Sequence, residues 1–137
     1  MFYYRITLEY EGTNYSGWQV QTGQSVKTIQ GTLEKALVEI FKSHSIKTIG
    51  SGRTDSGVHA FAQVCKITAP LKIPELALAK ALNALLPHDI RVLNSAYCDD
   101  DFHPIFSASK KEYNYLFCLG PERALWRNHI TYLNEKL

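Results

Sequence analysis

Residues 52 to 60, Gly52-Arg53-Thr54-Asp55-Ser56-Gly57-Val58-His59-Ala60, place a guanidinium and a carboxylate two residues apart in a glycine-bounded turn. Gly52 and Gly57 free the backbone to turn sharply and let a ligand come close, while Arg53 supplies a cation and Asp55 a potential nucleophile or base. Aspartate also favours turns for local reasons, because its side chain bonds nearby backbone. Taken alone, Asp55 reads either as a turn-capping residue or as a catalytic carboxylate.

Other constellations fail on spacing. Gly50-Ser51-Gly52 lacks the third glycine of a dinucleotide fingerprint and leads into a strand pattern, not a helix. No Gly-Lys-Ser or Gly-Lys-Thr follows, so a phosphate-binding P-loop is not expected. His44, His59, His88, His103 and His129 show no spacing such as His-Glu-x-x-His, and Cys65, Cys98 and Cys118 form no Cys-x-x-Cys pair. No metal centre is expected from them. Tyr113, Tyr115 and Phe117 alternate just after Lys110 and Lys111. They read either as the buried face of a strand or as a platform for RNA bases, worth roughly 1 to 3 kcal/mol per stacked base. The two lysines are placed either to meet phosphate or to solvate a strand end.

The elements that must position these groups follow from hydrophobic period. From Tyr4 to Tyr10 apolar residues alternate with Arg5, Thr7 and Glu9, the pattern of a strand with one buried face. Residues 11 to 27 read as a long polar loop that nevertheless holds Tyr15 and Trp18. Ile29, Leu33, Ala36, Leu37, Ile40 and Phe41 then recur at helical spacing, with Thr28 placed to cap the first turn. Ile46 to Gly50 and Phe61 to Thr68 read as strands on either side of the Asp55 loop. Pro74 suits the first residue of a second helix, with Leu76, Ala79, Leu82, Leu85 and Leu86 as its apolar face and Pro87 as its stop. Ile90 to Tyr97 and Lys111 to Leu119 complete the strands. The order predicts an α+β fold of the ferredoxin-like, split βαβ kind, an antiparallel sheet with helices on one face.

At 137 residues and 45% apolar content, the chain is expected to form one α+β domain over residues 1–137. The net charge is +2, from 15 Lys and Arg against 13 Asp and Glu, so no global basic field advertises nucleic acid and any RNA site must be local. The run Asp99-Asp100-Asp101 is read as a solvated loop. Three widely spaced cysteines fit reduced, buried residues and a cytoplasmic protein. The amino terminus enters a strand pattern instead of a signal peptide. No span approaches the roughly 18 apolar residues of a membrane helix.

Four stretches together resemble the tRNA pseudouridine synthase A family. Leu8-Glu9-Tyr10-Glu11-Gly12-Thr13-Asn14-Tyr15-Ser16-Gly17-Trp18-Gln19 is similar to its amino-terminal signature, and Gln30-Gly31-Thr32-Leu33-Glu34-Lys35-Ala36-Leu37 to its first helix. Residues 52 to 60 with Gln63-Val64 resemble its catalytic motif. Phe102-His103, Phe106-Ser107-Ala108 and Lys111-x-Tyr113-x-Tyr115 resemble a second active-site motif. Two positions depart from the pattern: Ser56 stands where alanine is usual, and Ile105 where an arginine is common.

The resemblance implies a tRNA pseudouridine synthase that isomerises uridine in the anticodon stem-loop, with Asp55 as its catalytic aspartate. It implies that Tyr113 stacks on the extruded base, and that Arg53 pairs with Asp55 and helps displace the uridine. It implies tRNA as partner, no metal or redox cofactor, and a homodimer at full length. These 137 residues would be the amino-terminal half, without the second domain that completes the cleft. The competing readings are a non-catalytic RNA-binding module and an isolated domain inactive without its other half. The first lacks the aromatic RNP motif expected of common RNA-recognition modules.

Overall fold

In the computed structural model, which describes residues 1–119, 123–126, 129 and 131–133, strand β1 (Phe2–Tyr10) lies at the centre of a sheet. Its alternation sends Tyr4, Ile6, Leu8 and Tyr10 into the core, each 3% exposed or less. Burying a large apolar side chain contributes about 1.5–3 kcal/mol, so this one face fixes which way β1 turns. Helix α1 (Ile29–Phe41), β2 (Lys47–Gly50), β3 (Ala60–Ala69), helix α2 (Glu75–Leu85) and β4 (Ile90–Tyr97) follow. The strand order β2-β3-β1-β4, antiparallel at every pairing, is the ferredoxin-like arrangement expected. Both helices feed the same apolar core as the inward residues of the strands.

The Thr28 side chain accepts the Gly31 N–H at 3.1 Å and caps α1. Ile29, Leu33, Ala36, Leu37 and Phe41 are buried, and Ile40 packs beside them. Thr28→Ala is expected to cost about 1 kcal/mol of stability, read as a lowered midpoint in urea with an unchanged slope.

Helix α2 differs from its expected form. Pro74 is the N-cap instead of the first helical residue. Leu78 and Leu82 are buried, while Leu76 is 82% and Leu85 42% exposed. Asn83 explains the choice of face: its amide exchanges bonds with Val92, donating to the carbonyl at 2.9 Å and accepting the N–H at 2.8 Å. That double bond covers the free edge of β4 and rotates α2 to bring Leu78 inward.

The expected strand over residues 111–119 shrinks to β5 (Phe117–Leu119), which pairs in parallel with β6 (Thr131–Leu133) in a separate two-stranded sheet. Residues 111–116 carry no strand. Alternating side chains do not make a strand unless a neighbour takes up the backbone N–H and C=O groups, and no described residue does so for 111–116. Tyr113, Tyr115 and Phe117 are 68%, 86% and 58% exposed, so the reading of this run as a buried face is corrected.

Cys65 is fully buried in β3, where burial pushes its thiol up to about 12, and Cys98 is half-buried. The acidic run is solvent-exposed, but Asp100 also contributes: its backbone carbonyl accepts from the Lys66 ammonium and its carboxylate lies 3.8 Å away. Lys66 is 8% exposed, and this contact supplies its buried charge with a counter-charge. Among the described residues no helix is long and apolar enough to cross a membrane.

Candidate active site

The Asp55 loop joins β2 to β3 and is held from three sides. At its entry, Gln63, 7% exposed, donates from Nε2 to the Gly52 carbonyl at 2.5 Å and accepts from the Ser51 hydroxyl at 2.9 Å. At its centre, the Thr54 carbonyl accepts the Trp18 N–H at 3.1 Å, and the Thr54 hydroxyl meets the Tyr10 hydroxyl at 2.8 Å. The β1–β3 register shifts between Leu8 and Tyr10, next to this contact. At its exit, Val58 N–H closes a turn on the Asp55 carbonyl at 3.1 Å, with Gly57 at φ +79. A positive φ at the third position of such a turn is costly for any residue with a Cβ.

Residues 11–28 form the opposing wall. Trp18, 1% exposed, stacks on Tyr10 with ring centroids 6.2 Å apart. The Tyr15 hydroxyl donates to Asp89 at 2.6 Å, and burial followed by the Asp89 contact raises its pKa, so it remains a donor. The Tyr15 carbonyl accepts the Gly57 N–H at 3.2 Å and the Ser56 hydroxyl at 3.3 Å. Ser56 thus adds a tie that an alanine lacks. Burial likewise raises the Tyr10 pKa, partly offset by the Thr54 bond.

With the backbone pinned at Gly52, Thr54 and Gly57, the side chains of Arg53 and Asp55 are left exposed. They line one open cleft of about 420 Å³, together with Ser16, Gln19, Gln21, Gln24 and Val26. The expected Arg53–Asp55 ion pair is not formed: among the described residues the pairs are Lys66–Asp100 and Lys110–Glu112. Exposed pairs contribute only about 0–1 kcal/mol, too little to hold two solvated chains together. The Tyr113 hydroxyl lies 3.8 Å from where a Cβ on Gly52 would stand, so the aromatic run reaches the entry of the same loop. In the second matched motif, His103 caps its own turn, its Nδ1 accepting the Ile105 N–H at 3.2 Å, and its ring packs on Phe106 at 4.4 Å. Ile105 is exposed.

Chemically, the cleft offers an accessible carboxylate and a cation that can meet phosphate or displace a base, and an aromatic hydroxyl stands near Gly52 at the entry of the same loop. Among the described residues no group of three His, Cys, Asp or Glu is placed to hold a metal ion. Sequence reasoning picked out Arg53, Asp55 and Tyr113 but missed Tyr10, His59 and Asp89 as their supports. Tyr10 and His59 sit inside the matched motifs, His59 at the end of the loop itself, whereas no local spacing links Tyr10 or Asp89 to the loop.

A family model described as tRNA pseudouridine synthase matches residues 6–107. A protein named tRNA pseudouridine synthase A from Latilactobacillus sakei subsp. sakei strain 23K is 46% identical over 133 residues, 94% of this chain and 53% of that protein. Proteins of the same name from Lacticaseibacillus casei strain BL23 and Bacillus subtilis strain 168 are 43% and 45% identical. They align over 96% and 93% of this chain and 54% and 51% of their own length. The chain spans about half the length of the curated relatives it matches.

Proposed function

The chain belongs to the tRNA pseudouridine synthase family, and from that premise we propose that it isomerises uridine to pseudouridine in the anticodon stem-loop of tRNA, with Asp55 as catalytic residue. The observation that carries this reading is the exposure of the Asp55 carboxylate in a cleft beside Arg53, on a loop whose backbone is tied down on either side. A fixed carboxylate with an open approach suits a substrate that arrives as an extruded nucleotide.

The reaction balances without a co-reactant. The N1–C1′ bond breaks, the uracil turns, C5 bonds to C1′, the C5 proton leaves, and N1 gains one. Asp55 assists by adding covalently or by taking the C2′ proton, and either role calls for a carboxylate. Tyr113, whose hydroxyl lies near Gly52, stacks on the extruded base. At full length the enzyme acts as a homodimer on cytoplasmic tRNA. Incubation with anticodon stem-loop transcripts, followed by mapping of pseudouridine in the digest, tests the proposal. Product outside that arm, or none from the well-folded protein, contradicts it.

Arg53 is assigned to the RNA backbone. Arg53→Ala is expected to weaken tRNA binding and to reduce the slope of log affinity against log salt by about 1, one phosphate contact fewer. Weaker turnover with an unchanged slope would move Arg53 to displacement of the base.

A further inference from the structure

His59 closes the Asp55 turn onto the opposing wall. Its Nδ1 accepts the Gly12 N–H at 2.8 Å. A ring nitrogen that accepts carries no proton, so the neutral ring holds its proton on Nε2. The backbones meet tightly at this point: a Cβ on Gly12 would stand 2.0 Å from the Val58 carbonyl oxygen. On the far side of Gly12, the Glu11 N–H donates to the Asp89 carbonyl at 2.9 Å, which ties this wall to the turn before β4. His59 follows Val58, whose N–H ends the turn on Asp55, and its ring packs 5.1 Å from that of His129. The exit of the turn thereby has a side-chain latch to match the one Gln63 provides at the entry.

We propose that His59 is a positioning residue for Asp55 through its Nδ1: it accepts Gly12 N–H and so fixes the turn against residues 11–28. The catalytic part of this inference rests on the reading of Asp55 given above. Asparagine can place its amide oxygen near the site of Nδ1, whereas glutamine reaches toward that of Nε2. That difference separates a latch from simple filling of space.

The test uses the 137-residue chain, with amide hydrogen exchange followed at Gly12, Trp18 and Gly57 in His59→Asn, His59→Gln and His59→Ala. Exchange is expected within about twofold of the unsubstituted chain for Asn. It should be about tenfold faster for Gln and Ala, the size of one lost hydrogen bond. The ¹⁵N signal of His59 Nδ1 in the unsubstituted chain should be that of an unprotonated ring nitrogen. A protonated Nδ1, or protection at Trp18 and Gly57 that survives in Gln, overturns the latch. If the alanine variant fails to fold, the Asn and Gln pair and the nitrogen signal still decide.

In turnover of tRNA, Gln should lower kcat about tenfold with KM unchanged, and Asn should restore it; a change confined to KM overturns the positioning role. Absence of turnover before any substitution counts against the reading of Asp55 as catalytic. The exchange and nitrogen measurements then judge the latch by themselves.

Discussion

Trp18→Ala is expected to destabilise the fold by about 3–5 kcal/mol, the range for truncating a buried tryptophan. The indole is 1% exposed, stacks on Tyr10, and lies so close to β2 that a Cβ on Gly50 would sit 2.7 Å from its ring atoms. No neighbour can collapse into that volume without moving β2, which leads directly into the Asp55 loop. Domain stabilities run about 5–15 kcal/mol, so the loss removes a large share of the total. For a chain of this length it should lower the thermal midpoint by about 10–20 °C. The same backbone position donates to the Thr54 carbonyl, so a cavity here also loosens the loop. Thermal unfolding followed by circular dichroism measures the effect, and a midpoint lowered by less than about 3 °C would remove Trp18 from the core of the account.

Asp55→Asn is expected to leave the fold intact and to cost at least ~10³-fold in pseudouridine formation. The stability side follows from exposure: Asp55 takes part in no ion pair among the described residues, and its backbone carbonyl, which the substitution keeps, makes the turn bond. Surface substitutions of this kind stay within about ±0.5 kcal/mol. The catalytic side follows from chemistry. An amide of the same shape can neither add covalently to the nucleoside nor take its proton, and general base catalysis alone is worth about 10²–10⁴-fold. Affinity for tRNA should hold or rise slightly, because one negative charge leaves the cleft. Single-turnover rates measure the loss, and a loss below tenfold would assign Asp55 to capping the turn.

Much of the fold was legible because period and burial coincide in β1 and α1, whereas in β4 a register shift against β1 accompanies a buried Ser95 and a half-exposed Leu93. Ile90–Tyr97 emerged with the expected bounds, and Thr28 caps α1 as its position implied. Helix α2 was less legible because alanine and leucine fill most of Glu75–Leu85, so several apolar stripes compete. The contact of Asn83 with β4 settles among them, and that contact is tertiary. The aromatic run was misread because alternation reports side-chain preference, whereas a strand also needs a neighbour. In the site, the glycines and the Arg53–Asp55 spacing stood out locally. The supports did not, because Tyr10 meets Thr54 across 44 residues and Gly12 meets His59 across 47. Such separations leave no periodic trace, and only the strand order brings the two walls together.

The measurement that bears most directly on the central claim is release of tritium from tRNA transcripts labelled at uridine C5, with Asp55→Asn beside the unsubstituted protein. The C5 proton leaves only if C5 becomes bonded to the ribose, so release reports the isomerisation itself. Release by the unsubstituted protein and its loss in the variant are the expected results. Equal release from both, or none from the well-folded unsubstituted protein, would contradict the assignment.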